Sequence, residues 1–153
     1  MLAFLRSFRF AGRGLRACLR ERNFRFHLAL SAYMYGFLLH GWFSLQRYEW
    51  ALLIFTTVLV LAAEALNTAI EAAVDLACPE IHPLAARAKD VGAAAVLVCS
   101  VGAVAVGLVL LWQPPAFQLM LEYYRQHPGM LVLLGISLVG AAWFIFGIRR
   151  KKS

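Results

Sequence analysis

Long apolar stretches, separated by short polar segments, dominate the pattern of hydrophobic and polar positions along this chain. Four of them approach the length of a membrane span, namely residues 28–45, 50–70, 91–112 and 130–148. About 20 residues of helix cross the roughly 30 Å of hydrocarbon in a bilayer, and a segment inside lipid must satisfy its own backbone hydrogen bonds. The pattern therefore predicts an all-α membrane protein with four transmembrane helices.

The first 20 residues have a different pattern, because arginines interrupt every apolar run. The arginines recur at steps of three and four residues, which places them on one stripe of a helix with leucines and phenylalanine beside it. They are Arg6, Arg9, Arg13, Arg16 and Arg20, and the adjoining face carries Leu5, Phe8, Leu15 and Leu19. This segment is predicted to be an amphipathic helix on the membrane surface; a solvated basic arm is the alternative, and no cleaved signal peptide is expected.

Composition and charge agree with a membrane protein. Apolar residues make up 62% of the chain and charged residues 15%, with a mean hydropathy of +0.71, against roughly 45–50% and about 25% in soluble domains. Lysines and arginines number 7, 1, 2, 1 and 4 in the successive segments outside the four stretches, so the positive-inside rule predicts that both termini are cytoplasmic. Because topology explains the net charge of +7, no nucleic acid partner is expected.

Polar side chains occur on the second apolar stretch, where a simple span would have none. Glu64, Asn67, Glu71 and Asp75 follow each other at steps of three, four and four residues and therefore share one helix face. A charged side chain at the centre of a spanning helix costs about 2.5–3.5 kcal/mol on insertion scales. This face is therefore predicted to line a protein interior or a wet cleft, although Glu71 and Asp75 lie near enough to the interface to be ordinary hydrated carboxylates.

Further ionisable side chains are predicted at the same membrane level. They lie before the first stretch and after the second: Glu21, Arg22, Asn23, Arg25, His27, Glu80, His82, Arg87, Lys89 and Asp90. Carboxylate oxygens suit Mg²⁺, lysine and arginine neutralise phosphate oxygens, and a buried carboxylate can accept a proton. These are the groups that phosphoryl transfer requires, but the chain has no Walker or protein-kinase motif. The residues alone thus indicate a membrane enzyme or a transporter with an acidic cleft.

Two segments resemble the small bacterial membrane kinases of the diacylglycerol kinase and undecaprenol kinase family. They are EALNTAIEAAVDL, residues 64–76, and PEIHPLAARAKDVGAAAVL, residues 79–97. ERNFRFH, residues 21–27, is similar to the family's motif before its first transmembrane helix, and SFRFAGRGL, residues 7–15, to its surface helix. The resemblance covers about residues 4–112. Its ERNF, AGRG and PExHPLA elements are closer to the undecaprenol kinase branch, and Ala93 stands where the diacylglycerol enzymes often have serine.

The resemblance implies a homotrimer that transfers the γ-phosphate of MgATP to the hydroxyl of a membrane lipid, either undecaprenol or diacylglycerol. In this resemblance Glu64 matches the catalytic base, and Glu21 and Glu71 match the Mg²⁺ ligands. The positions that match nucleotide-binding residues are Glu21, Glu71, Asp75, Glu80, His82, Lys89 and Asp90. Those that match substrate-binding or supporting residues are Asn67, Arg25 and Phe24.

The resemblance, which implies three transmembrane helices, and the fourth apolar stretch, which departs from it, together predict an organisation in three parts. Residues 1–27 form the surface helix and the pre-helix motif, residues 28–112 a three-helix kinase core, and residues 113–153 an extra transmembrane helix with a basic cytoplasmic tail. The expected location is the bacterial cytoplasmic membrane. From the residues alone, a proton-coupled transporter in which Glu64 carries the proton and a structural membrane subunit remain open, and His82 is equally suited to capping its loop.

Overall fold

The computed structural model describes residues 2–147 of the chain. Within these residues there is no β-strand and there are six helices: α1 (Leu2–Cys18), α2 (Arg22–Leu39), α3 (Arg47–Ala77), α4 (Pro83–Leu111), α5 (Pro114–Gln126) and α6 (Pro128–Phe146). The predicted all-α class is confirmed. The predicted basic tail, at residues 149–152, lies outside the described residues, as does the side chain of Leu5.

Three of these helices are long and apolar enough to cross a membrane: α3, α4 and α6. They contain the second, third and fourth apolar stretches of the sequence, so the protein is a multi-pass membrane protein. Because α3 has 31 residues, it is about 46 Å long and extends beyond the hydrocarbon layer. Its extension carries Glu71 and Asp75 on the same continuous helix as Glu64.

Helix α2 is shorter than the first predicted span. It ends at Leu39 rather than at residue 45, and Gly41 then turns the chain with a φ of +91°. Since its 18 residues begin with Arg22 and include Arg25 in the first turn, α2 is not among the helices that are apolar enough to span a membrane.

Helix α2 nevertheless packs between two spanning helices. The hydroxyl of Tyr33 donates a hydrogen bond to Ser137 on α6 at 3.0 Å, and that of Tyr35 donates to Thr57 on α3 at 3.0 Å. Because Arg25, nearer the start of α2, contacts Ile145, nearer the end of α6, α2 and α6 are antiparallel. Helix α2 therefore lies against both α3 and α6, with Phe24, Arg25 and Leu38 buried.

The hydrophobic pattern did not predict α5, an amphipathic helix of 13 residues between the last two spans. Pro114 and Pro115 occupy its first turn, where proline fits because that turn leaves its N–H groups unbonded. At the same end of the bundle, His40 stacks on Trp42 at 3.7 Å between ring centres, and Trp42 contacts Tyr123 and Tyr124. Such amphipathic rings are typical of a membrane–water interface.

The N-terminal segment forms the predicted helix, α1, which contacts α3. Phe8, Phe10 and Leu15 are each more than half exposed, whereas Cys18 at the end of the helix is buried. Exposed apolar side chains beside an arginine stripe suit a helix at a lipid surface. Attachment of α1 to the membrane surface remains a prediction.

Candidate functional site

A cavity of about 350 Å³ lies at the end of the bundle where α2 begins and α6 ends. The α1–α2 corner, α3 and the last residues of α6 line it. Five of the predicted site residues line this one cavity: Glu21, Arg25, Glu64, Asn67 and Glu71. Side chains more than 40 positions apart in the sequence are therefore brought together by the antiparallel packing of α2 on α3.

Glu64 is a buried acid on the wall of this cavity. Its residue exposure is only 3%, and its Oε1 atom lies 3.4 Å from Nε2 of His27 on α2. The backbone carbonyl of Glu64 accepts a hydrogen bond from the Thr68 hydroxyl at 2.9 Å. A carboxylate in this position can accept a proton from a hydroxyl group that enters the cavity, and the imidazole of His27 lies beside one of its oxygens.

Asn67 connects the acids of α3 to helix α4. Its Nδ2 donates a hydrogen bond to Oε1 of Glu71 at 2.9 Å, and its Oδ1 is buried without a hydrogen-bond partner. Gly92 of α4 lies so close that a Cβ atom there would collide with this Oδ1. The sequence spacing predicted that Glu64, Asn67 and Glu71 share one face of α3, and their common position in the cavity lining agrees with it.

The cavity offers oxygen ligands that fit a hard cation. Glu21 and Glu71 supply carboxylates, both interact electrostatically with Glu64, and Asn67 adds an amide oxygen without a partner. Among the described residues no group of three or more His, Cys, Asp or Glu side chains is placed to hold a metal. This donor set suits Mg²⁺, which binds through one or two carboxylates together with substrate phosphates rather than in an all-protein cage.

Arg25 connects three segments around the cavity. Its Nη1 donates hydrogen bonds to the carbonyl oxygens of Leu19 and Arg20 at 3.1 and 2.9 Å, and its Nη2 donates to that of Ile145 at 2.7 Å. The side chain is almost completely buried, with 1% of the residue exposed, and the neighbouring Phe24 is buried as well. These contacts favour a supporting role for Arg25.

The remaining predicted nucleotide-binding residues lie outside the cavity lining. Asp75 at the end of α3 forms an ion pair with Lys89 on α4, whereas Glu80 and Asp90 are exposed. The Nδ1 atom of His82 accepts a hydrogen bond from the backbone N–H of Leu84 at 3.2 Å and caps α4. The capping role open to His82 is therefore observed, and its nucleotide contact remains a prediction.

Sequence reasoning missed other residues of the cavity lining. Thr68 was detectable in principle, because it lies four positions after Glu64 on the same helix face. Ile145 and Phe146 had no such signal, since their place depends on how α6 folds back against α2.

The cysteines do not contribute a reactive thiol to this site. Cys18, Cys78 and Cys99 are free, and none of them lines the cavity. Burial raises the pKa of the Cys18 thiol by desolvation, so this thiol stays protonated at neutral pH.

The comparisons with known proteins identify the class to which this acidic cavity in an apolar helical bundle belongs, that of integral membrane lipid kinases. Residues 9–111, which contain the second half of α1 and the whole of α2 to α4, match the family described as prokaryotic diacylglycerol kinase. The chain belongs to this family. It is a lipid kinase, and membership implies ATP as the phosphate donor.

Several curated proteins are similar to the chain. The undecaprenol kinase of Bacillus subtilis is 41% identical over 110 residues, which are 70% of this chain and 86% of that protein. The diacylglycerol kinase of Escherichia coli strain K12 is 45% identical over 71 residues, 46% of this chain and 58% of that protein. The diacylglycerol kinase of Synechocystis is 42% identical over 118 residues, 74% of this chain and 65% of that protein. The recognised family is thereby confirmed, and similar relatives carry two different substrate names.

Close packing of α4 on the site provides a first test of the geometry. Gly92→Ala is expected to lower lipid phosphorylation about tenfold to hundredfold, because the new methyl group displaces the Asn67 amide that binds Glu71 and small misplacements in an active site have effects of this order. Gly102→Ala on the same helix is the matched control, since nothing lies within 4 Å of a Cβ there. Wild-type turnover by Gly92→Ala would show that the Asn67 position is not critical.

Proposed function

We propose that this protein transfers the γ-phosphate of MgATP to the hydroxyl of a membrane lipid alcohol, and that undecaprenol is its preferred acceptor over diacylglycerol. The observation that carries the proposal is the position of buried Glu64 in one cavity with Glu21 and Glu71. The undecaprenol preference is supported by the ERNF, AGRG and PExHPLA elements and by the 86% of the Bacillus subtilis enzyme that the similarity covers.

In this proposal Glu64 is the general base. The lipid hydroxyl loses its proton to the Glu64 carboxylate while its oxygen forms a bond to the γ-phosphorus of ATP. The bond from that phosphorus to the oxygen bridging the β- and γ-phosphates breaks, and ADP leaves with this oxygen. Since Glu64 lies on a spanning helix, the hydroxyl of an acceptor can reach it while the hydrocarbon chain stays in the bilayer. His27 keeps the carboxylate in position through its 3.4 Å contact.

The proposal assigns the two other cavity carboxylates to Mg²⁺. Glu21 and Glu71 would hold the ion, and Asn67 would orient Glu71 through their hydrogen bond. When bound, the ion supplies positive charge to the phosphate oxygens.

The nucleotide would lie on the polar side of the cavity. The acids and Lys89 at the α3–α4 turn, with His82, are assigned as nucleotide-binding residues: Asp75, Glu80, His82, Lys89 and Asp90. Their support is the exposure of Glu80, His82 and Asp90 at the same end of the bundle as the cavity, where a water-soluble nucleotide can arrive. In this assignment the Asp75–Lys89 ion pair opens when Lys89 meets phosphate.

The proposal includes the assembly and topology of the chain. It places both termini in the cytoplasm of a bacterium, with residues 1–27 on the membrane surface, residues 28–112 as the kinase core and residues 113–153 as an added transmembrane segment. The basic residues on alternate sides of the four stretches support this orientation. The proposed homotrimer rests on the family resemblance.

A side-by-side lipid kinase assay tests the function. Purified protein in mixed micelles is given labelled MgATP with undecaprenol, with diacylglycerol, or with neither lipid. Label is expected in both lipids and faster in undecaprenol, and omission of Mg²⁺ is expected to abolish it. A faster reaction with diacylglycerol would reverse the assigned preference. No labelled lipid from folded protein would contradict the kinase proposal and favour the proton-coupled transporter.

A further inference from the structure

Helix α6 contributes to the catalytic cavity although it lies outside the residues that match the family. The match ends at residue 111, whereas Ile145 and Phe146 at the end of α6 line the cavity together with Glu64. The wall of the catalytic cavity is therefore completed by a helix outside the region that matches the family. Helix α6 thus contributes to the site as well as being apolar enough to span the membrane.

The end of α6 is fixed to the cavity by a specific contact. Arg25 donates a hydrogen bond from Nη2 to the Ile145 carbonyl oxygen at 2.7 Å, while its Nη1 binds carbonyl oxygens at the α1–α2 corner. That corner carries Glu21, one of the cavity carboxylates. Because buried hydrogen bonds from a charged group are strong and costly to break, the position of Ile145 is tied to that of the site.

Apart from its contacts with α2 and α5, most of α6 is exposed. Ile145 is its one buried residue, so most of the helix surface is free to contact lipid. Of the two cavity residues, Ile145 is only 9% exposed and Phe146 is 65% exposed. The end of α6 therefore forms part of the wall of the cavity that holds Glu64, and the same helix exposes its remaining apolar surface.

We propose that Ile145 and Phe146 form a lateral wall that determines which lipid alcohol reaches Glu64. This inference rests on the proposed lipid kinase function. The wall narrows the opening from the bilayer, so it admits an acceptor with one hydrocarbon chain, such as a polyprenol, and hinders one with two chains, such as diacylglycerol. Ile145 and Phe146 are specificity-determining residues, and Arg25 is the positioning residue that holds the wall in place.

The size of the effect follows from the volume that the wall occupies. One methylene group more or less on a substrate in a hydrophobic pocket changes discrimination about tenfold or more, and a change of similar volume in the wall is expected to act on the same scale. Ile145→Ala removes three carbon atoms from the wall, and Phe146→Ala removes a ring. Each substitution leaves the proposed base and the proposed metal ligands unchanged.

Measured kcat/KM values for the two acceptors test the wall. Wild-type protein, Ile145→Ala and Phe146→Ala are assayed in mixed micelles with undecaprenol and with diacylglycerol. Each variant is expected to raise the ratio of kcat/KM for diacylglycerol over undecaprenol about tenfold. Ile136→Ala is the matched control, because it removes the same atoms from the same helix at a position that is 63% exposed and does not line the cavity. The control is expected to keep the wild-type ratio.

The outcomes separate this inference from the proposed function. Active variants whose ratio stays within about twofold of the wild type would overturn the wall, as would an equal change in the Ile136→Ala control. If Ile145→Ala does not fold, Phe146→Ala decides alone, since an exposed side chain can be shortened at little cost to stability. Wild-type protein that phosphorylates neither lipid would contradict the proposed function, and the wall with it.

Discussion

Replacing Glu64 with glutamine is expected to lower kcat for lipid phosphorylation about 10²–10⁴-fold, the range that a positioned general base contributes. Glutamine has nearly the same size and keeps an oxygen that can remain near His27. It cannot accept the proton of the lipid hydroxyl. Since a buried charge inside a membrane helix is costly, the variant is also expected to fold at least as well as the wild type.

The measurement is kcat and KM for both ATP and lipid, with thermal stability in the same detergent. The base assignment predicts a large fall in kcat with little change in the KM for ATP. Glu122→Gln is the matched control, because Glu122 is exposed on α5, bonds only locally to Gln126 at 2.7 Å and lies away from the cavity. Full activity in Glu64→Gln would exclude Glu64 as the base.

Much of the fold could be predicted from the hydrophobic pattern because the bilayer imposes simple rules. The second, third and fourth apolar stretches form α3, α4 and α6. The segment with arginines at steps of three and four residues forms α1. The pattern was less informative at the helix ends. It missed the end of α2 at Leu39, where Gly41 turns the chain, and it missed α5, whose length is below that of a span.

The face of α3 that carries the acids was also predictable. A helix has a fixed period, and a charged side chain in a membrane helix is costly unless it faces a protein interior or a wet cleft. Glu64, Asn67 and Glu71 line one cavity as their spacing indicated. Asp75 shares that face but lies beyond the cavity, where it pairs with Lys89. The spacing along a helix predicts which side chains share a face. How many of them line the cavity depends on where the neighbouring helices pack.

Contacts between distant segments could not be predicted from the sequence. The hydrogen bond from Arg25 to the Ile145 carbonyl joins residues 120 positions apart. Every residue has a backbone carbonyl, so the sequence does not indicate which one Arg25 binds. The family resemblance implied a substrate-binding or supporting role for Arg25 without naming its contacts. In the structure its guanidinium connects three chain segments around the cavity, a geometry that a guanidinium serves better than an ammonium group.

Replacing Glu71 with glutamine is expected to weaken Mg²⁺ binding and to leave proton transfer intact. The Mg²⁺ concentration for half-maximal activity should rise about hundredfold or more, since even residues that only support a metal ligand change metal affinity about 10–100-fold. Glutamine can still accept the hydrogen bond that Asn67 donates to Glu71, so the local structure should persist. What is lost is the negative charge of one of only two carboxylates assigned to the ion.

Magnesium titrations distinguish this effect from that of Glu64→Gln. High Mg²⁺ should restore part of the activity of Glu71→Gln, because weak binding is overcome by mass action. Glu64→Gln should keep its low kcat, about 10²–10⁴-fold below the wild type, at every Mg²⁺ concentration. Glu122→Gln should titrate like the wild type. An unchanged Mg²⁺ dependence in Glu71→Gln would remove Glu71 from the metal site. A loss that no concentration of Mg²⁺ repairs would point instead to a direct role in binding the nucleotide.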